Sequence, residues 1–250
     1  MQRRDFVLVT AGSIVGAGFG GVSMAGHDPA ARKYLDTRFG RIAHVDEGRG
    51  EAVLFLHGLP LNSFQWRDSI KVLSSDRRCL APDLLGLGFT EVAPGQGCGP
   101  LDQMAMVVAF LDAKGIKTVD VIASDSGGAV AQHLVTRHPG RVRTLLLANC
   151  DTEIDYPLAV LQPVFELCKQ GKYADVVAAW LADKSMFRSN DKGLGACYAD
   201  PAKVPDEAID QYLAPLIASP EKKAKMQEYI LALEANPLAG IEAELRKCRV

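Results

Sequence analysis

Apolar and polar positions divide this chain into a first part with short apolar runs and a later part with helical stripes. Apolar runs of strand length begin near Ala52, Cys79 and Val119, and each leads into a turn that contains glycine. Such runs are typical of strands that are buried on both faces of a sheet. From about residue 152 to residue 238 the apolar residues instead recur at helical spacing. We therefore expect an α/β core interrupted by a helical segment, with no internal repeat.

The most informative stretch follows the strand predicted over Val119–Ala123. Small residues then lead directly into a predicted helix, in the order Asp125, Ser126, Gly127. A strand-to-helix turn that displays a nucleophile is so sharp that the residues two before and two after the nucleophile must be small. Ala123 and Gly127 satisfy this requirement, so Asp125 is the predicted nucleophile.

A second frame of the same turn makes Ser126 the nucleophile, with Ser124 before it and Gly128 after it. We favour Asp125 because the predicted strand then ends one residue before the turn, and the glycines fall where the helix must pack closely. A glycine-rich turn can also simply join a strand to a helix in any α/β protein. A serine nucleophile and a plain connection therefore stay open as alternatives.

Two turns upstream of Asp125 point to an enzyme. The apolar run from Ala52 ends in a His-Gly turn at His57 and Gly58, and the next buried run ends in a D-x-x-G-x-G turn that begins at Asp83. In this order the three motifs resemble those of the α/β-hydrolase superfamily, over about residues 33 to 250. The likeness is strongest to its branch with an aspartate nucleophile, which includes haloalkane dehalogenases and epoxide hydrolases.

The resemblance implies a fold and its division into parts. We expect an α/β-hydrolase fold, with a mostly parallel sheet flanked by helices and a helical cap. The core is expected over residues 33–151, the cap over 152–238 and the start of a return to the core over 239–250. In this family one N–H after the His-Gly turn and one after the nucleophile form the oxyanion hole. The resemblance assigns these roles to the backbone N–H groups of Leu59 and Ser126.

An aspartate nucleophile limits the reactions that the site can carry out. Attack of a carboxylate on an ester gives an anhydride that reverts, whereas attack on an sp³ carbon gives a stable ester. Asp125 therefore predicts displacement at a carbon that bears a halide or a strained epoxide oxygen. In the family's dehalogenases Asn and Trp side chains bind the leaving halide, but this chain has Leu59 and Ser126 at those positions. Epoxide-type chemistry on a small, largely apolar substrate consequently ranks above carbon–halogen cleavage.

The cap should supply further site residues. Epoxide hydrolases use cap tyrosines to protonate the opening oxygen, and the predicted cap contains Tyr156, Tyr173, Tyr198, Tyr212 and Tyr229. The apolar cap residues most expected to touch a substrate are Phe165, Trp180, Met186 and Phe187. Their spacing alone does not separate them from residues of the cap's own core.

The general base and its acid partner are not found at the family's positions. The histidines all precede the cap and are His27, His44, His57, His133 and His138. Asn149 stands where some dehalogenases carry a carboxylate, and Asp151, two residues later, is a further candidate. A missing base keeps open a second class of function, a non-catalytic binding protein on the same fold.

The carboxyl-terminal strands of the family's core are also missing. The run Arg141–Asp151 predicts one more buried strand after the helix that follows Asp125, and in this family two further strands follow the cap. Cys248–Val250 resembles only the opening of the first of them. A sheet that ended at this strand would expose Thr144–Asn149 as an apolar edge. We therefore expect an incomplete hydrolase, in which an ester on Asp125 would form and accumulate.

The amino terminus predicts export. Arg3-Arg4 precede a moderately apolar, glycine-rich run that extends to about Ala25, which is the form of a twin-arginine signal. Ser23-x-Ala25 fits the small-x-small cleavage rule, so residues 1–25 would be removed and the mature protein would begin near Gly26. The run is only weakly apolar for a stable membrane anchor. A periplasmic location is therefore expected.

Composition excludes several other classes. The chain of 250 residues is 48% apolar and carries a net charge of −2, which becomes −3 without Arg3, Arg4 and Asp5. This charge does not suit nucleic-acid binding. The six cysteines show no C-x-x-C or Cys/His metal spacing. We therefore expect no nucleic-acid partner and no metal, and the resemblance to α/β-hydrolases implies a small-molecule substrate and no cofactor.

Overall fold

The computed structural model describes residues 32–154 and 156–250. The predicted signal at residues 1–25 and its cleavage site lie outside the described residues, so export stays a prediction. No helix in the described part of the chain combines the length and apolar character needed to cross a bilayer.

The strands form one mixed sheet. In the described residues they are β1 (Lys33–Thr37), β2 (Gly40–Glu47), β3 (Ala52–Leu56), β4 (Arg78–Pro82), β5 (Glu91–Val92), β6 (Val119–Asp125) and β7 (Val142–Cys150). The order is β1-β2-β4-β3-β6-β7, and β5 pairs with β2. Strands β4, β3, β6 and β7 run parallel, whereas β1, β4 and β5 are antiparallel to β2. The predicted α/β-hydrolase fold is confirmed, with antiparallel pairing on one side of the sheet.

Strand β3 lies in the middle of this sheet because its whole run is apolar. All five of its residues are buried. Leu54 and Leu56 belong to a large apolar cluster on one face, whereas Val53 and Phe55 belong to a smaller cluster with Ile70 on the other face. Because β3 is central and parallel to β4 and β6, the loop that follows it lies at the carboxyl edge of these strands.

Helices cover the sheet and form most of the predicted cap. In the described residues the α-helices are α1 (Arg67–Leu73), α2 (Pro100–Ala113), α3 (Gly127–Arg137), α4 (Gln162–Lys169), α5 (Tyr173–Ala182), α6 (Lys184–Arg188), α7 (Asp206–Leu213), α8 (Pro220–Ala232) and α9 (Glu242–Leu245). Helices α4 to α8 lie within the region predicted as the cap. Their apolar stripes are packed inside, and buried members include Phe165, Val177, Ile209, Met226 and Ile230.

Strand β7 is less buried than predicted. In the described sheet its one neighbour is β6, and β7 lies at the edge. Leu146 is 52% exposed and Leu147 is 39% exposed. The prediction of a buried strand is therefore wrong for this stretch, whereas the apolar edge expected of a sheet that ends here is observed in the described residues.

Cys248–Val250 does not open a strand, contrary to the prediction. Helix α9 ends at Leu245, and the Cys248 N–H donates to the Leu245 carbonyl oxygen at 3.0 Å. The Cys248 thiol lies 3.6 Å from the carbonyl oxygen of Val135 on α3. The backbone of Cys248 is therefore hydrogen-bonded to the end of α9 and not to a neighbouring strand.

Asp46 on β2 joins two cations from neighbouring elements. Arg78 donates to its two carboxylate oxygens at 2.9 and 2.8 Å, and Lys114 Nζ donates to it at 3.1 Å. The hydrogen bonds from Arg78 hold the pKa of Asp46 well below its ordinary value, although burial opposes them.

We expect Asp46→Asn to lower the free energy of unfolding near neutral pH by about 1–2 kcal/mol. Because the pKa of Asp46 is lowered by folding, its stabilisation is complete above the ordinary carboxyl value of about 4 and is lost as the pH falls further. Urea unfolding at neutral and acidic pH measures both effects. A variant as stable as the wild type near neutral pH would contradict this role of Asp46.

Candidate active site

The chain turns sharply from β6 into α3 at Asp125. Asp125 adopts a φ of +54°, in the left-handed region that costs an L residue backbone strain. Ser126 already has a helical backbone, and α3 begins at Gly127. The strand extends beyond its predicted end at Ala123, because Asp125 still pairs with Cys150 of β7. The turn leaves the Asp125 side chain exposed at the carboxyl edge of the sheet.

Three glycines make room for this turn. A Cβ on Gly58 would lie 2.2 Å from both Cβ and Oδ1 of Asp125. A Cβ on Gly127 would lie 2.4 Å from a carbonyl oxygen of the His-Gly turn, and a Cβ on Gly128 would lie 2.2 Å from Cβ of Cys150. The close approach of three backbone segments explains why both motifs contain glycine.

The backbone of Leu59 contacts the predicted nucleophile. The Leu59 N–H donates to Asp125 Oδ1 at 2.9 Å. Asp125 also precedes the first turn of α3, where unpaired N–H groups and the helix dipole favour negative charge. The structure therefore brings Leu59, Asp125 and the Ser126 backbone together. Their roles as nucleophile and oxyanion donors stay predictions.

The Ser126 hydroxyl has a different environment from the Asp125 carboxylate. Ser126 is 2% exposed, and its Oγ accepts a hydrogen bond from the Tyr229 hydroxyl at 2.8 Å. Tyr229 is itself buried, and burial raises the pKa of its hydroxyl well above the ordinary value. Because its hydroxyl is bound to a buried partner on α8, Ser126 is poorly placed for the alternative role of nucleophile.

His57 lies beside the site, but both of its ring nitrogens contact the backbone. Nδ1 lies 3.0 Å from the Gly58 carbonyl oxygen, and Nε2 accepts from the Leu84 N–H at 2.9 Å. Burial lowers the pKa of His57, which favours a neutral ring with its proton on Nδ1. His44 and His133 also contact backbone carbonyl oxygens. Of these three histidines, His57 alone has both ring nitrogens paired, whereas His44 Nε2 and His133 Nδ1 are buried without a hydrogen-bond partner in the described structure.

A cavity of about 240 Å³ opens beside Asp125. Its lining comes from the turn at Asp125, called the elbow below, and from the end of β7 and the loop that follows. The lining residues are Asp125, Asn149, Cys150, Asp151, Thr152, Ile154, Tyr156 and Leu158. Asn149 has a φ of +47°, which marks a second strained turn at this edge. The sequence did not predict that Cys150 and Ile154 line the site. Their closeness to Asn149 along the chain is the one feature of the sequence that could have indicated it.

Two polar atoms of this cavity wall have no hydrogen-bond partner in the described structure. They are Asp151 Oδ2 and the Tyr156 hydroxyl oxygen, and both are buried. Burial, and then the charge of Asp125, raises the pKa of Asp151 to about 7. Burial also raises the pKa of Tyr156. The Asp151 N–H donates to the Asp125 carbonyl oxygen at 3.2 Å, so the two aspartates are held side by side.

We expect Asp151→Asn to raise the free energy of unfolding near pH 8 by an amount on the order of 4 kcal/mol. Because the pKa of Asp151 rises from 3.8 to about 7 on folding, the wild type loses stability as the pH increases between these values. The amide avoids that loss, and below about pH 4 the two proteins should be equally stable. Thermal unfolding at several pH values measures the difference, and a difference independent of pH would contradict the raised pKa.

Tyr156 is the one of the five cap tyrosines that lines this cavity. The other four have partners elsewhere: Tyr173 packs on Trp180, Tyr198 packs on Phe187, Tyr212 accepts from Arg67 and Tyr229 donates to Ser126. The structure thus separates the predicted candidates by position, which the sequence did not do.

The apolar cap residues that were predicted to touch a substrate pack within the cap. Trp180 and Phe187 meet edge to face with ring centroids 5.8 Å apart, and the Trp180 indole donates to the Lys192 carbonyl oxygen at 2.8 Å. Phe165 is buried, and Met186 packs against the same core. None of these side chains lines the cavity beside Asp125, so their contact with a substrate stays a prediction.

The described residues contain no group of three or more His, Cys, Asp and Glu side chains that could hold a metal ion. The polar groups around Asp125 are its own carboxylate, the Leu59 N–H, the Asp151 carboxyl and the Tyr156 hydroxyl. These are the parts needed for a covalent displacement at carbon.

Comparison with known proteins identifies the family. Residues 51–185 match the family model described as alpha/beta hydrolase fold, and this match covers more than half of the chain. The chain belongs to the α/β-hydrolase fold family. Several of the curated relatives that the chain matches are named haloalkane dehalogenase.

Three relatives illustrate this likeness. Haloalkane dehalogenase 2 of Mycobacterium tuberculosis is 37% identical over 122 residues, which are 48% of this chain and 42% of that protein. The structure of an ancestral haloalkane dehalogenase matches with a TM-score of 0.64 and 26% identity, over 86% of this chain and 74% of that chain. The structure of the epoxide hydrolase CorEH matches with a TM-score of 0.69 and 21% identity, over 85% of this chain and 76% of that chain. A likeness at this identity shows the fold alone. The match to the curated dehalogenase spans less than half of that relative's length.

Proposed function

We propose that Asp125 is the nucleophile of a hydrolase that forms a covalent alkyl ester with a small, largely apolar organic substrate. The observation that carries this proposal is the position of Asp125 at a left-handed turn, with Oδ1 on the Leu59 N–H and a cavity beside it. A carboxylate in this position can attack an sp³ carbon and retain the product as an ester. The signal predicted at residues 1–25 would place this chemistry in the periplasm.

An epoxide ranks above a haloalkane as the substrate class. The Leu59 side chain is apolar and offers no donor to a halide, and the Ser126 side chain is 2% exposed and packed against the Tyr229 hydroxyl. The cavity instead contains the Tyr156 hydroxyl, which suits an oxygen that must gain a proton. Carbon–halogen cleavage is the second candidate, because the relative that is 37% identical is named a haloalkane dehalogenase.

The test is covalent labelling of the purified protein. Exposed thiols such as Cys197 are first blocked, and the protein is then incubated with styrene oxide and quenched in acid. Intact-mass analysis should show one adduct of one reagent mass. Ser126→Ala is the matched control and should retain the adduct. No adduct across a panel of epoxides and haloalkanes would contradict the proposal and favour a non-catalytic binding protein.

A further inference from the structure

The cavity contains a carboxyl group that the attack by Asp125 does not use. Asp151 Oδ2 is buried without a hydrogen-bond partner in the described structure, and Asp151 lines the same cavity as Asp125. A buried polar atom without a partner is unfavourable unless a ligand or water satisfies it. An incoming group that accepts a hydrogen bond would satisfy a protonated Asp151.

We propose that Asp151 donates the proton to the oxygen that leaves when Asp125 opens a strained oxygen ring. This inference rests on the proposed function of Asp125 and specifies an epoxide as the substrate class. A carboxylate oxygen of Asp125 forms a bond to a ring carbon, and the carbon–oxygen bond breaks with its electron pair on oxygen. That oxygen takes the proton of the Asp151 carboxyl. The products are an ester on Asp125, a hydroxyl on the substrate and an Asp151 carboxylate, which regains a proton from water.

The surroundings of Asp151 favour a neutral acid. The titratable groups that face it are Asp125, Cys150, Tyr156 and Tyr229, and none of them carries a positive charge. Two carboxyl groups at one site favour a pair in which one is ionised and the other is protonated. This division gives the site a nucleophile and an acid at the same time.

Asp151 suits the role of donor better than Tyr156. The pKa of Asp151 is about 7, whereas burial moves the pKa of Tyr156 above its already high ordinary value. A general acid is most effective when its pKa lies near the working pH. The Tyr156 hydroxyl can still hydrogen-bond the same oxygen, so it is expected to assist and not to replace Asp151.

The test compares two reagents that differ in their need for a proton. Styrene oxide requires protonation of its leaving oxygen, whereas benzyl bromide loses bromide without a proton. The rate of adduct formation is measured on the tryptic peptide of residues 118–137, which contains Asp125 and no cysteine. Wild type, Asp151→Asn, Asp151→Glu and Tyr156→Phe are compared, and thermal unfolding confirms that each protein is folded.

We expect Asp151→Asn to slow the reaction with styrene oxide about 100-fold or more and to change the rate with benzyl bromide far less. Asp151→Glu keeps an acidic proton and should restore part of the rate, and Tyr156→Phe should have the smaller effect. In the wild type the rate with styrene oxide should fall as the pH rises through about 7, because the acid loses its proton. The rate with benzyl bromide should not follow that profile.

Three outcomes would overturn the role of Asp151 while leaving Asp125 as the nucleophile. They are equal slowing with both reagents, no slowing with either, and a larger effect of Tyr156→Phe than of Asp151→Asn. Failure of both reagents to label Asp125 in the wild type would instead overturn the proposed function, and the inference about Asp151 with it.

Discussion

Asp125→Asn is expected to reduce the rate of covalent labelling by about 10⁴-fold or more. The amide has nearly the same shape and its oxygen can still accept from the Leu59 N–H, which now donates to Asp125 Oδ1 at 2.9 Å. It lacks the carboxylate needed to attack carbon, so the fold should survive while the ester does not form. Intact-mass analysis over time measures the rate.

Asp120→Asn is the matched control for this substitution. Asp120 lies on the same strand, and its carboxylate accepts from Arg143 at 2.8 Å at the far end from the elbow. Its loss should cost some stability and leave labelling intact. Equal labelling of Asp125→Asn and wild type would show that Asp125 is not the nucleophile.

Gly58→Ala is expected to slow labelling by about 100-fold or more. Its methyl group would lie 2.2 Å from Cβ and Oδ1 of Asp125, a distance that requires one of the two segments to move. Either movement separates Oδ1 from the Leu59 N–H and displaces the attacking oxygen. The rate of adduct formation measures the loss, and thermal unfolding separates it from a loss of folded protein.

Gly140→Ala provides the comparison for Gly58→Ala. A Cβ on Gly140 meets nothing within 4 Å, and Gly140 has no positive φ. Labelling of this variant should match the wild type. If Gly58→Ala labelled as fast as Gly140→Ala, the contact between the His-Gly turn and Asp125 would not matter for the reaction.

The sequence predicts the centre of the site well because local geometry determines it. A strand buried on both faces must be apolar throughout, which locates β3 at Ala52–Leu56. A turn as sharp as that at Asp125 needs glycine where backbone segments touch, and Gly58 and Gly127 meet this need. These requirements act over a few residues, so they leave a readable pattern.

The walls of the site depend on contacts between distant segments, and the sequence predicts them poorly. Trp180 and Phe165 have the apolar character of substrate contacts, but the same character suits the core that they form within the cap. The cavity beside Asp125 instead takes Asp151 and Tyr156 from the loop after β7. The sequence analysis named both residues as candidates but did not predict their position beside Asp125. That position depends on the pairing of β6 with β7, which brings the end of β7 to the turn at Asp125.

Localisation of the adduct tests the central claim most directly. Trypsin releases residues 118–137 as one peptide that contains Asp120, Asp125 and Ser126. After reaction with styrene oxide, fragment spectra of this peptide should place the added mass on Asp125. Added mass on Ser126 or Asp120, with Asp125 unmodified, would contradict an aspartate nucleophile at the elbow.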